Sequence, residues 1–273
     1  MYSYKLGMIG CGNMGEAILG GILDSGFLNT EEIISYDIDG SRRKYIKTKY
    51  NVCIAGGISD IVKKSRYVLL SVKPKDIKTV LYELRTCFDY KVNSIISIAA
   101  GVSTDYIEKI LDSNASVIRV MPNYPALFRK GMAAISRGKF TRDEDLFFTE
   151  KLMKSTGDYV IIDDKYQDVA TALSGSGPAY FFLFCKYLIK SGINNGLDPE
   201  ISKKLVIATM NGTGTVIAES GIELDDLIKK IASPGGTTER AIEEFEKKRL
   251  DKIIYGAIES AKKKANELKD LLD

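Results

Sequence analysis

The sequence predicts a two-part α/β protein: a doubly wound, mainly parallel sheet followed by an all-helical domain. Three observations carry this. Short apolar runs alternate with amphipathic stretches as far as Ile162, a glycine-rich turn joins the first apolar run to the first helical pattern, and strand signals disappear after about Asp164. The expected strands are Lys5–Ile9, Ile33–Asp37, Tyr67–Val72, Ser94–Ala99, Ser116–Val120, Ala133–Ile135 and Tyr159–Ile162. Helical patterns fall between most of them, as at Met14–Ser25, Lys75–Cys87 and Thr104–Leu111. Beyond them come helical patterns at Tyr166–Ser174, Ala179–Ser191, Pro199–Glu219 and Glu223–Ala232. A final one begins at Thr238 and breaks near Lys248. Within it Leu250, Ile253, Ile254, Ala257, Ile258 and Ala261 repeat at the spacing of one buried helix face. The boundary near Asp163–Lys165 divides the chain into a domain over residues 1–163 and a helical domain over 164–273.

The bulk composition bounds the function. A chain of 273 residues with 45% hydrophobic content supports one large or two modest cores. With 39 basic and 36 acidic side chains, the net charge of +3 is too balanced to call for nucleic acid. Cys11, Cys53, Cys87 and Cys185 lack the spacing of a zinc or disulfide framework, which fits a reducing compartment. No signal-peptide pattern is visible, and Phe181–Ile189 is too short and too interrupted by Lys186 to span a bilayer, so the expectation is a cytoplasmic protein without membrane contact. Histidine is absent. That excludes a Ser-His-Asp triad and any imidazole base or metal ligand, and leaves chemistry that needs little acid–base help.

Gly10-Cys11-Gly12-Asn13-Met14-Gly15 has the form G-x-G-x-x-G, placed between a strand and a helix. Gly10 allows the tight turn, Gly12 lets a pyrophosphate approach the backbone, and Gly15 lets helix and strand pack closely. Asp37 lies 22 residues after Gly15, at the end of the second strand, where a carboxylate can accept both hydroxyls of an adenosine ribose. These signals predict a Rossmann-type dinucleotide site, with Asn13 and Met14 at the start of the helix. Asp37 favours NADH, whereas Ser41, Arg42 and Arg43 could hold a 2′-phosphate or simply form the exposed first turn of a helix. The strand ends Ser71-Val72-Lys73-Pro74, Ala99-Ala100-Gly101 and Met121-Pro122-Asn123 should converge on the nicotinamide, bringing Val72, Lys73, Pro74, Ala100 and Asn123 to the cofactor.

A second chemical signal is Ser233-Pro234-Gly235-Gly236-Thr237-Thr238 between two helical patterns. Pro234 stops the first helix, the glycines turn the chain, and two hydroxyls stand at the next helix start. Such a stretch reads either as an ordinary helix cap or as a carboxylate pocket with a hydroxyl aimed at a neighbouring polar atom.

Five motifs in this order, Gly10–Gly15, Val72-Lys73-Pro74, Arg119–Asn123, Ser174–Tyr180 and Ser233–Thr238, resemble those of pyrroline-5-carboxylate reductases over nearly the whole chain. The resemblance implies an N-terminal Rossmann domain, a helical domain that interleaves with a second subunit, and hydride transfer from NAD(P)H to a cyclic imine, giving L-proline. It implies that Ser233, Gly236, Thr237 and Thr238 hold the substrate carboxylate and ring nitrogen. Ser176 would lie on the wall formed by Ser174–Tyr180, and Lys73 and Asn123 along the nicotinamide. Thr238 is the catalytic candidate: it would orient the imine, and its pKa is too high for a true general acid. The partners implied are the small-molecule imine and further copies of this chain, as a homodimer or a larger homo-oligomer. No metal is called for.

Three positions depart from the family pattern. Asp37-Ile38 stands where Asn-Arg is common, Ile58 where an Asn near the adenine-side ribose is common, and Tyr124 where Thr usually follows Met-Pro-Asn. The first supports the expectation that NADH serves at least as well as NADPH. Two other readings share the architecture. One is a β-hydroxyacid-dehydrogenase-like reductase, which would need a lysine in the helical half such as Lys186 or Lys190. The other is a dinucleotide-binding redox sensor without turnover.

Overall fold

Strands that alternate apolar residues toward two faces build a sheet covered on both sides. In the computed structural model, which describes residues 2–270, eight strands do this: β1 (Tyr4–Ile9), β2 (Ile33–Tyr36), β3 (Cys53–Ile54), β4 (Ser65–Leu70), β5 (Ser94–Ser97), β6 (Ser116–Met121), β7 (Gly131–Arg137) and β8 (Gly157–Ile161). They form one sheet in the order β3-β2-β1-β4-β5-β6-β7-β8. Every neighbouring pair is parallel except β6 and β7. Leu6, Met8, Leu69, Ile96 and Ile118 pack into one buried cluster, while Ile9, Val68, Leu70, Ile95 and Val117 pack into another. The alternation along each strand separates the two layers.

The covering helices of this part are α1 (Asn13–Asp24), α2 (Gly40–Tyr50), α3 (Ile58–Lys64), α4 (Ile77–Arg85), α5 (Thr104–Leu111) and α6 (Asp143–Lys154). Ile77, Val80, Leu81 and Leu84 show how α4 turns one face inward at the i, i+3, i+4, i+7 spacing. The two-residue β3 carries too few residues for a periodic signal and was not expected from the sequence. Ser71 and Val72 lie beyond β4, because the chain leaves the sheet to enter the 3-10 turn at Pro74–Asp76.

The helical part contains α7 (Gln167–Ala170), α8 (Gly177–Asn194), α9 (Pro199–Glu219), α10 (Leu224–Ile231), α11 (Thr237–Lys247) and α12 (Leu250–Asp270). The expected single helix over Tyr166–Ser174 is instead a 3-10 turn at Asp164–Tyr166, then α7, then a π-helical turn at Thr171–Gly175. The expected break near Lys248 is present, with Arg249 in the left-handed conformation at φ 56°. Contacts divide the chain into two compact units, one holding the chain as far as Ser176 together with the C-terminal stretch from Ser260, the other holding Gly177–Glu259. The sequence-based boundary at residue 163 thus falls inside the first unit.

The second unit has almost no interior of its own. Among its described residues only Gly177 and Ser202 are buried, while Phe181, Phe184, Leu205 and Ile217 are each about half exposed. Helices α8 and α9 pack where Gly192 meets Ser202; a Cβ on Gly192 would stand 2.7 Å from the Ser202 hydroxyl. No helix among the described residues is long and apolar enough to cross a membrane.

Candidate active site

The sheet order reverses direction between β1 and β4, and this is where the glycine-rich turn leaves the sheet. Gly10 has φ 91°, and a Cβ there would stand 2.8 Å from the Ser71 backbone. Only glycine meets both conditions. Ser71 closes the turn, donating its backbone N–H to the Ile9 carbonyl at 2.9 Å and its hydroxyl to the Gly10 carbonyl at 2.5 Å. A Cβ on Gly15 would meet the Gly10 carbonyl and the Ser71 hydroxyl, both at 2.8 Å, so α1 sits close against this turn.

Gly12 differs: a Cβ built on it would have no neighbour within 4 Å. It is the N-cap of α1 and no side chain caps that helix. Gly12 and Asn13 are exposed. Open space beside Gly12 and uncapped N–H groups at a helix start form a cradle that suits a pyrophosphate. The residues present therefore fit a dinucleotide.

Just beyond β2, Asp37 accepts the Cys11 backbone N–H at 2.7 Å and the Asp39 N–H at 2.9 Å. These bonds fix the carboxylate beside the turn. Arg42 and Arg43 do occupy the first turn of α2, as expected, but neither hangs free in solvent. Arg42 donates Nε to the Cys11 carbonyl and Nη2 to Glu16. Arg43 donates Nη1 to the Asp37 carbonyl at 2.6 Å and the Ile38 carbonyl at 3.1 Å. The Cys11 thiol is pushed up to about 11, first by burial and then by the Asp37 charge, so it stays protonated at neutral pH. Ile58, the second departure, opens α3 and is buried in the core.

The further strand ends divide by role. Lys73 is exposed, Val72 and Ala100 are half-buried, and Pro74 starts the 3-10 turn. The Asn123 side chain is engaged at both ends: its amide donates to the Ser174 hydroxyl at 3.2 Å, and its carbonyl accepts the Met132 N–H at 2.9 Å. Asn123 thereby ties the end of β6 to β7 and to the π-helical turn. Behind it Arg119 is only 2% exposed and lies between Asp164 at 3.3 Å and Asp168 at 3.4 Å. Burial holds the Asp164 carboxyl above its ordinary range, and the Arg119 charge opposes this. Ser176 follows that turn, its N–H bonded to the Thr171 carbonyl at 2.8 Å.

In the second unit, Ser233–Thr238 forms a tight turn into α11. Gly235 has φ 75°, and the Gly236 N–H closes on the Ser233 carbonyl at 2.9 Å. A Cβ on Gly236 would stand 2.8 Å from that carbonyl. Gly236 is the N-cap and no side chain caps α11, so the leading N–H groups at Thr237 and Thr238 are available to an anion. Glu239 turns back to accept the Gly235 N–H at 2.7 Å. Thr237 is exposed and Thr238 half-buried.

The sequence reading missed Glu16. It stands directly after the glycine motif, where an acidic residue reads as a complement to the helix dipole. Its partners lie 26 to 34 positions away, at Arg42, Tyr45, Lys49 and Tyr50, and no sequence signal links them.

Comparison with known proteins places this geometry. A family model described as pyrroline-5-carboxylate reductase dimerisation matches residues 164–268, and one described as NADP oxidoreductase, coenzyme F420-dependent, matches residues 5–101. The chain is 34% identical to a pyrroline-5-carboxylate reductase of Aquifex aeolicus, over 97% of each chain. It is 32% identical to pyrroline-5-carboxylate reductase 2 of Bacillus subtilis, over 97% of this chain and 95% of that one. Among solved structures, a pyrroline-5-carboxylate reductase from Coxiella burnetii superposes with a TM-score of 0.90 at 29% identity, covering 97% of this chain and 98% of that one. The Plasmodium falciparum pyrroline carboxylate reductase with NADP bound does so with a TM-score of 0.87 at 29% identity, covering 98% and 99%.

Proposed function

Because this chain belongs to the pyrroline-5-carboxylate reductase family, we propose that it reduces pyrroline-5-carboxylate to L-proline, using a dinucleotide held by the Gly10–Gly15 turn. The observation that carries the reading is the full-length match, which takes in both that turn and the Ser233–Thr238 turn. When bound, the reduced nicotinamide supplies the hydride. The protonated imine is already electrophilic: hydride adds to the ring carbon, the C=N π pair moves to nitrogen, and the secondary amine results. No strong protein acid is needed, which accords with a chain that has no histidine.

The chain's own residues then have three tasks. Gly12, Asn13 and Met14 present backbone N–H groups to the pyrophosphate, with Gly10 and Gly15 holding the turn open. Val72, Lys73, Pro74 and Ala100 border the nicotinamide half, and Asn123 supports that border through Ser174 and Met132. The uncapped start of α11 receives the substrate carboxylate on Gly236, Thr237 and Thr238, with Ser233 contributing a hydroxyl. The Thr238 hydroxyl bonds the ring nitrogen and orients the imine.

The cofactor reading is finer. Asp37 offers its carboxylate to the ribose hydroxyls and repels a 2′-phosphate, so NADH is used at least as well as NADPH. The helical domain supplies the oligomer. An apolar groove of about 520 Å3 between α8 and α9, lined by Phe184, Leu188, Leu205 and Ile217 among others, supports a homodimer formed through helices of a second copy. The testing experiment is to follow nicotinamide absorbance with purified protein, pyrroline-5-carboxylate and each cofactor. Imine-dependent oxidation of NADH is the expected result; nucleotide binding without turnover of the imine would leave only a binding protein.

A further inference from the structure

A dense polar cluster of the first unit, which the proposed reaction does not use, is centred on Glu16. Its Oε2 accepts Arg42 Nη2. Its Oε1 accepts Lys49 Nζ at 2.8 Å, the Tyr45 hydroxyl at 3.0 Å and the Tyr50 hydroxyl at 3.1 Å. Lys49 also donates to the Tyr45 hydroxyl at 3.0 Å, and the Arg42 guanidinium lies 4.8 Å from the centre of the Tyr45 ring. The Glu16 and Arg42 side chains are only 16% and 25% exposed.

Two charged side chains grip the same residue of the glycine-rich turn. Asp37 takes the Cys11 N–H and Arg42 takes the Cys11 carbonyl. Arg42 is therefore anchored at the edge where Asp37 meets the adenosine ribose. A guanidinium there is the natural partner of a 2′-phosphate, since it presents forked donors and a permanent charge. In this chain Nε and Nη2 of Arg42 and Nη1 of Arg43 are already engaged. Glu16 and Cys11 hold Arg42, Glu16 also holds Lys49, and the Asp37 and Ile38 carbonyls hold Arg43.

We propose that Glu16 is a positioning residue for cofactor selectivity: it holds Arg42 against the Cys11 carbonyl and offsets its charge, so that the guanidinium is withheld from a 2′-phosphate. The inference rests on the reading that places the adenosine ribose at Asp37. It assigns the discrimination to two carboxylates with different tasks. Asp37 meets the ribose, and Glu16 restrains the arginine that would otherwise compensate for Asp37.

The test is calorimetric titration of the full-length protein with NADH and with NADPH, no substrate present, on wild type, Glu16→Gln, Arg42→Ala and the double variant. Glutamine keeps an oxygen that Tyr45 and Tyr50 can donate to while removing the charge. Glu16→Gln is expected to raise NADPH affinity relative to NADH by roughly fivefold, in line with the loss of one nearby charge. In turnover assays the change should fall on KM for NADPH with kcat retained. The gain should vanish in the double variant, and Arg42→Ala alone should move the ratio by less than about twofold.

Equal changes for both dinucleotides in Glu16→Gln would mean that the cluster only braces α1 against α2, and would overturn the proposal. A gain that persists without Arg42 would also overturn it. Should Glu16→Gln fail to fold, Arg42→Ala decides alone: a large selective loss of NADPH binding shows Arg42 already free to engage the phosphate. The wild-type ratio is a separate readout. A strong wild-type preference for NADPH rejects the Asp37 reading, whereas the Glu16 inference fails on the variant ratios.

Discussion

At the scale of single residues, Thr238 and Asp37 carry the sharpest expectations. Thr238 is half-buried in the first turn of a helix that no side chain caps, and we expect its hydroxyl to meet a polar group carried by an anionic ligand. Thr238→Ala keeps the helix start and removes one hydrogen bond to a charged or polarised group, worth about 1.5–3 kcal/mol. We expect kcat/KM for the imine to fall about 10- to 100-fold with dinucleotide affinity unchanged. An unaltered kcat/KM removes Thr238 from the chemistry. Asp37→Asn keeps an acceptor for the Cys11 N–H and removes the carboxylate charge. Its kcat/KM ratio should move toward NADPH by about tenfold, the size of one exposed like-charge contact. The comparison is made at equal ionic strength, because screening alone shifts such a contact. No shift toward NADPH would mean that Asp37 serves the turn and not the ribose.

At the scale of elements, α1 and α2 are joined both by apolar packing and by charge. Helix α2 puts Ile46 into the cluster that holds Ile18, Leu19 and Ile22 and packs Tyr50 against it, while its Arg42 and Lys49 pair with Glu16. Burial alone would push the Glu16 carboxyl up, but hydrogen bonds from Lys49, Arg42, Tyr45 and Tyr50 outweigh it and hold the group at about 2. In the unfolded chain the carboxyl titrates at its ordinary value, so the unfolded state binds the proton more readily across the window between the two. The contribution of Glu16 to stability is therefore present above the ordinary carboxylate range and is lost as pH falls toward 2. Wild type should melt higher than Glu16→Gln at neutral pH, and the gap should close on acidification. Melting curves of both proteins across that range provide the check; a gap independent of pH would show that the ionised form is not the one being held.

At the scale of the whole molecule, the second unit is the informative part. Its described side chains leave Phe181, Phe184, Tyr187, Leu205, Ile217 and Ile231 between 49% and 67% exposed. Exposed apolar area on this scale is the usual mark of an interface. Two copies burying these faces against each other would supply the interior that one copy lacks, as in obligate homodimers. We expect sedimentation at micromolar concentration to give a dimer or a multiple of it. Leu205→Asp, a charge in the middle of that face, should dissociate it and lower the melting temperature. A stable, fully folded monomer would show that these helices find their partners within one chain.

Periodicity and local chemistry were legible from the sequence alone. The alternation of apolar runs determined the sheet and its covering helices, with boundaries correct to a few residues; α9 at Pro199–Glu219 and α5 at Thr104–Leu111 match the structure at both ends. The glycine-rich turn was legible because close backbone approach leaves no alternative to glycine at Gly10 and Gly15. The two-residue β3 and the π-helical turn at Thr171–Gly175 were not, because one is too short for a period and the other follows from tertiary packing around Arg119 and Asn123. The same limit hid Glu16. Charged residues reveal themselves in sequence only when their partners are a helical turn away, and those of Glu16 are brought to it by the crossover from α1 through β2 to α2. The sequence by itself determined that a dinucleotide turn and an anion-ready helix start exist in this chain. Only the tertiary structure decided which arginine is held against the Cys11 carbonyl and what restrains it, because electrostatic pairing depends on distance in space and not on spacing along the chain.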